Sequence, residues 1–191
     1  KRVEAEYDKF KYCFRISGEV GWMVTGEFLP CEMDIKTKFG LNKLFIMVQD
    51  VAHARGGGDL VAKLSAEKGW EVLGKEVYPT GTTDYSVGLM KAKKENAQVI
   101  LIWMDMPESS ILLKQWYDMK VPALVFGQII AAAEQPGCWK ATEGKGEYCL
   151  ASVVNAGNAP SKATPWTMKF VEAYTKRWKT EPEGYGTSSS Y

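Results

Sequence analysis

Two hydrophobic patterns alternate along this chain. Short, nearly unbroken apolar runs occur at Leu44–Val48, Val99–Met104 and Pro122–Phe126. Such runs suit strands covered on both faces, as in a parallel sheet. Trp70–Tyr78 alternates more loosely and reads as another strand, as do Tyr12–Ile16 and Glu147–Val154. Between them the apolar spacing becomes helical. Val20, Met23, Val24, Phe28 and Leu29 mark a helix over Glu19–Phe39, with a kink expected at Pro30 and an end at Gly40. Helices are also predicted over residues 84–96, with Asp84 as the cap, and 107–119, with Pro107 in the first turn. The segment Gln135–Gly146 is polar and reads as surface loop. Ser161–Lys179 is amphipathic, and its stripe of Trp166, Phe170, Tyr174 and Trp178 reads as core. Strands alternating with helices predict βαβ units and a three-layer α/β/α fold around a parallel sheet, in which Leu44–Val48, Val99–Trp103 and Ala123–Phe126 are neighbours.

The loops after these strands all emerge at one sheet edge, where open α/β sheets bind ligands. The candidates there are His53 and Arg55 after the first buried strand, Asp105 and Met106 after Val99–Met104, and Gln128 and Ile129 after Pro122–Phe126. Asp105 has two readings: a polar anchor for a ligand cation, or a cap that accepts N–H bonds near Glu108. His53 is either a ligand contact or a solvent-exposed loop residue. The glycines at 56–58 read as a flexible lead into a helix through Leu60, Val61 and Leu64 that ends at Gly69. They do not make a phosphate loop, since no Gly-Lys-Ser/Thr follows and residue 61 is valine.

Composition narrows the function. The 24 basic and 23 acidic residues leave a net charge of +1, without the basic excess of a nucleic-acid binder. No apolar run approaches the ~20 residues that cross a bilayer, and Lys1–Lys11 is charged and lacks the apolar stretch of a secretory signal. The four cysteines form no Cys-x-x-Cys pair and His53 is the single histidine, so a structural zinc site is not expected. A serine nucleophile would need His53 and a Gly-x-Ser-x-Gly elbow, which is absent. No catalytic constellation is evident, and the chain is read as a binding protein rather than an enzyme.

The ordered series Tyr78-Pro-Thr-Gly-Thr-Thr-Asp-Tyr-Ser86, Lys91-Ala-Lys-Lys-Glu-Asn-Ala-Gln-Val-Ile100 and Leu112-Leu-Lys-Gln-Trp-Tyr-Asp-Met119 resembles the type I periplasmic solute-binding proteins. The nearest branch is the leucine/isoleucine/valine-binding group of ABC transporters, and the likeness runs from about Phe10 to Tyr191. It implies a two-lobed protein, a monomer when full length, with residues 1–154 forming the second lobe and 155–191 crossing back to the first. A first lobe and a signal peptide would then lie upstream, and the location would be periplasmic or extracellular. The implied partners are a small amino acid or related carboxylate and the permease subunits, with no cofactor and no nucleic acid. The loop after the first buried strand would touch the ligand through His53 or Ala54. The carboxylate that relatives place after the fourth strand is replaced here by Gly127-Gln128-Ile129, which leaves Asp105 as the expected anchor. In an exported protein the natural disulfides are Cys138–Cys149 and Cys13–Cys31; otherwise all four are separate core thiols. A ligand-sensing regulatory module of the same fold remains the alternative function.

Overall fold

A computed structural model describes residues 2–12, 19–129, 131, 137–151, 165–180 and 182. Two short helices, α1 (Arg2–Ala5) and α2 (Tyr7–Phe10), precede α3 (Val20–Met23), which runs through a π-helical segment (Val24–Phe28) into α4 (Leu29–Phe39). The chain then alternates through β1 (Lys43–Gln49), α5 (Ala52–Glu67), β2 (Glu71–Tyr78), α6 (Ser86–Lys94), β3 (Val99–Met104), α7 (Ser109–Asp118) and β4 (Leu124–Ile129). It continues with α8 (Gly137–Thr142), β5 (Leu150–Ala151) and α9 (Pro165–Trp178).

All five strands are parallel, in the order β2-β1-β3-β4-β5. The expected neighbours β1, β3 and β4 lie side by side. Alternation along β3 separates two cores. Val99, Leu101 and Trp103 join Leu44, Ile46 and Val48 under the π segment, α4 and α5. Ile100, Ile102 and Met104 join Phe45, Met47, Val125 and Ile129 under α6 and α7. Because both faces are covered, β3 is buried at every position, which is why its sequence is apolar without a break.

Pro30 does not end the helix it interrupts. It lies in the first turn of α4, directly after the π segment. Proline lacks an N–H and crowds the carbonyl four residues back; a wider turn accommodates both. Gly40 caps α4 in the left-handed conformation, as expected. Lys36 of α4 reaches across to the end of α5, donating to the carbonyl oxygens of Lys68 and Gly69 at 2.8 and 2.9 Å. These acceptors stand where a helix leaves carbonyls unpaired, and a cation is favoured there.

A second α4–α5 contact is buried. Ser65 Oγ donates to Glu32 Oε2 at 2.6 Å, both residues are fully buried, and Glu32 Oε1 meets no donor among the described residues. Burial pushes the Glu32 carboxyl up to about 7, against a smaller lowering by the Ser65 bond.

Several expected features fall elsewhere. The glycines at 56–58 are inside α5, not in a loop before it. A Cβ on Gly57 would stand 2.1 Å from the Trp103 ring, so the bare backbone lets α5 lie close against β3 at that point. Strand β4 begins and ends later than expected, which takes Gly127, Gln128 and Ile129 into the sheet. The polar segment after residue 135 contains helix α8 rather than loop alone. Of the strand expected over Glu147–Val154, Leu150–Ala151 is strand, Glu147–Cys149 is not, and residues 152–154 lie outside the described residues. The strand expected at Tyr12–Ile16 lies outside them as well, apart from Tyr12, which is in a turn. Of the stripe expected as core on α9, Trp166 and Trp178 are 67% and 57% exposed among the described residues, while Phe170 and Tyr174 are partly buried.

Candidate functional site

The strand order places a topological switch between β1 and β3. From β1 the chain crosses to β2 on one side, then returns to β3 on the other. The connections at the carboxyl ends of β1 and β3 therefore diverge to opposite faces of the sheet and leave a crevice between them. Helix α5 covers one face, and α7 the other.

Two sequence-predicted residues meet across that crevice. His53 stands in the first turn of α5, and Asp105 follows β3 directly. His53 Nε2 and Asp105 Oδ2 are 2.6 Å apart. The imidazole also packs at 6.2 Å on the ring of Trp103, the penultimate residue of β3. Phe28 of the π segment meets the same indole edge-on at 4.9 Å. The histidine is thus held by a carboxylate and an aromatic surface.

Gln49 sets the position of Asp105. At the end of β1, its Oε1 accepts the Asp105 backbone N–H at 2.9 Å, while its Nε2 donates to Thr80 Oγ1 at 2.8 Å. One amide therefore ties together the loops after β1, β2 and β3. Asp105 does not cap α7: that helix starts at Ser109, and no side chain caps it. Its opening turn is made by backbone bonds from Ser109 and Ser110 to Met106 and Pro107.

The site presents unpaired acceptors. Asp105 Oδ1, Glu108 Oε2 and Gln128 Oε1 are buried, and none meets a donor among the described residues. A buried oxygen without a donor costs free energy unless a donor reaches it. Gln128 is opposite Trp103 in the β3–β4 register, and Asp105 lies two residues beyond Trp103, just past the end of β3. The edge thus offers acceptor oxygens from two neighbouring strand ends. Glu108 also helps raise the Tyr85 hydroxyl to about 12, an effect led by burial.

The other candidates separate from this group. Arg55 turns to Asp50, at 3.2 Å, on the same edge. Ala54 is fully buried in the α5-side core, and Met106 and Ile129 are buried in the opposite one. All three contribute to packing here: Ala54 from the first turn of α5, Ile129 from the end of β4, and Met106 from the loop after β3. Sequence reasoning did not single out Gln49, whose glutamine side chain at a strand end was the available signal. Cys31, Cys138 and Cys149 carry free thiols, and Cys13 lies outside the described residues.

The model of the family described as "periplasmic binding protein" matches residues 24–190. The chain belongs to that family. No curated protein matches the sequence. Among solved structures, a protein from Silicibacter pomeroyi named for a branched-chain amino acid ABC transporter superposes with a TM-score of 0.74 at 17% identity, over 94% of this chain and 45% of that one. The leucine binding protein LivK of Thermotoga maritima gives 0.67 at 19%, over 81% and 43%. An R. palustris ABC transporter solute binding protein, solved in complex with benzoate, gives 0.63 at 13%, over 78% and 40%. At these identities the likeness shows the fold. The chain spans less than half the length of these relatives.

Proposed function

We propose that residues 1–154 form one lobe of an extracytoplasmic solute-binding protein, and that residues 155–191 lead toward a second lobe. In this reading the protein captures a small amino acid or related carboxylate between the lobes and delivers it to an ABC permease. The observation that carries it is the His53–Asp105 pair at the switch crevice. One carboxylate oxygen is held by the imidazole. The other, Oδ1, is buried and meets no donor among the described residues. A ligand ammonium supplies such a donor together with the compensating charge. Gln128 adds a neutral acceptor where an acid had been expected, so Asp105 supplies the charge. The names of the amino-acid-binding neighbours support this ligand class, and the family's periplasmic role supports the location. No observation favours the regulatory-module alternative.

The test is Asp105→Asn in the two-lobed protein, titrated calorimetrically with a panel of amino acids. Asparagine keeps the size and removes the charge. A charge-assisted hydrogen bond contributes ~1.5–3 kcal/mol, so affinity for the best-bound amino acid should fall more than about tenfold. A loss below about threefold, with thermal stability unchanged, would remove Asp105 from the anchor role.

A further inference from the structure

We propose that Cys138 and Cys149 close into an intrachain disulfide that staples α8 to β5. Both residues line one hollow of 290 Å³, which Gly146, Tyr148 and Ala151 also border. Cys138 is buried in the first turn of α8, and Cys149 is half-buried immediately before β5. The segment between them doubles back. Glu143, Gly144 and Tyr148 all adopt positive φ, and Gly144 N–H donates to the Trp139 carbonyl at 2.9 Å. Two facts bring the cysteines to the same residue. A Cβ at Gly146 would stand 3.5 Å from Cys138 Sγ, and Cys149 N–H donates to the Gly146 carbonyl at 3.3 Å. Cys149 is therefore bonded to the residue that lies against the Cys138 sulfur. The segment is anchored from outside as well, by ion pairs from Lys114 to Glu143 and from Lys145 to Asp118 of α7.

Cys31 is not a competitor. It packs into the core on the α5 side of the sheet, whereas Cys149 packs into the core on the α7 side. The sheet separates them.

The oxidant is a small-molecule or protein disulfide, and the half-exposed Cys149 meets it first. Its thiolate attacks one sulfur, forming a mixed disulfide and releasing one donor thiolate. Cys138, lying beneath, then displaces the second donor thiolate and closes the ring. Two protein thiols are oxidised, one donor disulfide is reduced to two thiols, and the two cysteine protons pass to the departing thiolates. Burial, reinforced by the neighbouring Cys138, pushes the Cys149 thiol up to about 11. Exchange is accordingly slow at neutral pH, since only the thiolate attacks. The closed bridge would hold the two-residue edge strand β5 on β4, whose end carries Gln128.

The 191-residue chain, equilibrated with glutathione disulfide, is denatured, alkylated without reduction and cleaved with trypsin. Cleavage after Lys120, Lys140, Lys145 and Lys162 puts Cys138 and Cys149 on separate peptides, 121–140 and 146–162. The expected product is one species joining the two, lost on reduction and absent from Cys138→Ser. In oxidised protein, Cys138→Ser should also melt about 5–10 °C below the parent, a gap that closes when both are reduced. Recovery of both peptides separately alkylated, or joined to the Cys31 peptide instead, would overturn the assignment.

Discussion

Gly127→Ala is expected to cost the fold at least ~3 kcal/mol, a large part of the ~5–15 kcal/mol that holds a domain together. Gly127 sits in β4 at φ +131, a conformation that L side chains rarely adopt, and is opposite Ile102 in the register. A Cβ there would stand 2.1 Å from the Ile102 carbonyl oxygen. That obstacle is backbone in a central strand, so it cannot swing aside, and strain of this kind costs ~1–3 kcal/mol before the clash is counted. Gly56→Ala is the matched control. Gly56 also lies in a regular element, but its Cβ position is open. Replacing a helical glycine with alanine there should stabilise by ~0.5–1 kcal/mol. Urea unfolding of the two variants should therefore move in opposite directions. Equal midpoints would show that β4 does not depend on the bare backbone at Gly127.

Glu32→Gln should stabilise the protein strongly above neutrality and hardly at all in acid. The folded-state value of about 7 lies above the ordinary 4.5 because the carboxyl is buried. A raised acid binds its proton more tightly folded than unfolded. Its contribution is therefore fully present below pH ~4.5 and declines as pH rises through ~7. The window between the two values corresponds to about 3 kcal/mol by linkage. Glutamine has no proton to lose and can still accept the Ser65 hydroxyl. The variant should thus match the parent near pH 4.5 and exceed it by about 3 kcal/mol at pH 8. Denaturant unfolding at several pH values reads this difference directly. A constant difference between pH 5 and 8 would mean that Glu32 does not titrate in that window.

The central sheet was legible in the chain because β1 and β3 are covered on both faces and carry no polar interruption. The meeting of Asp105 and His53 was legible as far as position alone decides it: each follows a buried strand at the same sheet edge. The glycine run was not legible as helix. Local preference disfavours glycine in a helix, and what excludes a side chain at Gly57 is the indole of Trp103, far away in sequence. The burial of Ala54 and Ile129 was equally hidden, since it follows from where α5 and β4 begin and end. Gln49 gave only a weak signal, because its role appears only when the ends of β1 and β3 are side by side. The α9 stripe has the spacing of a core face, yet Trp166 and Trp178 are exposed; spacing marks an apolar face without saying what covers it.

The most direct measurement is an amide NMR titration of the labelled 191-residue chain with leucine, and with 4-methylpentanoate as the same carbon skeleton lacking the amine. In the proposed two-lobed arrangement this chain supplies one wall of the site, so weak, fast-exchanging binding is expected. With leucine, shifts should gather at Val51–Arg55, Asp105–Ser109 and Gln128–Ile129, and they should vanish in Asp105→Asn. The amine-free acid should produce little. Shifts that gather away from the β1–β3 crevice, or no response to leucine at all, would contradict the placement of an amino-acid site at that edge.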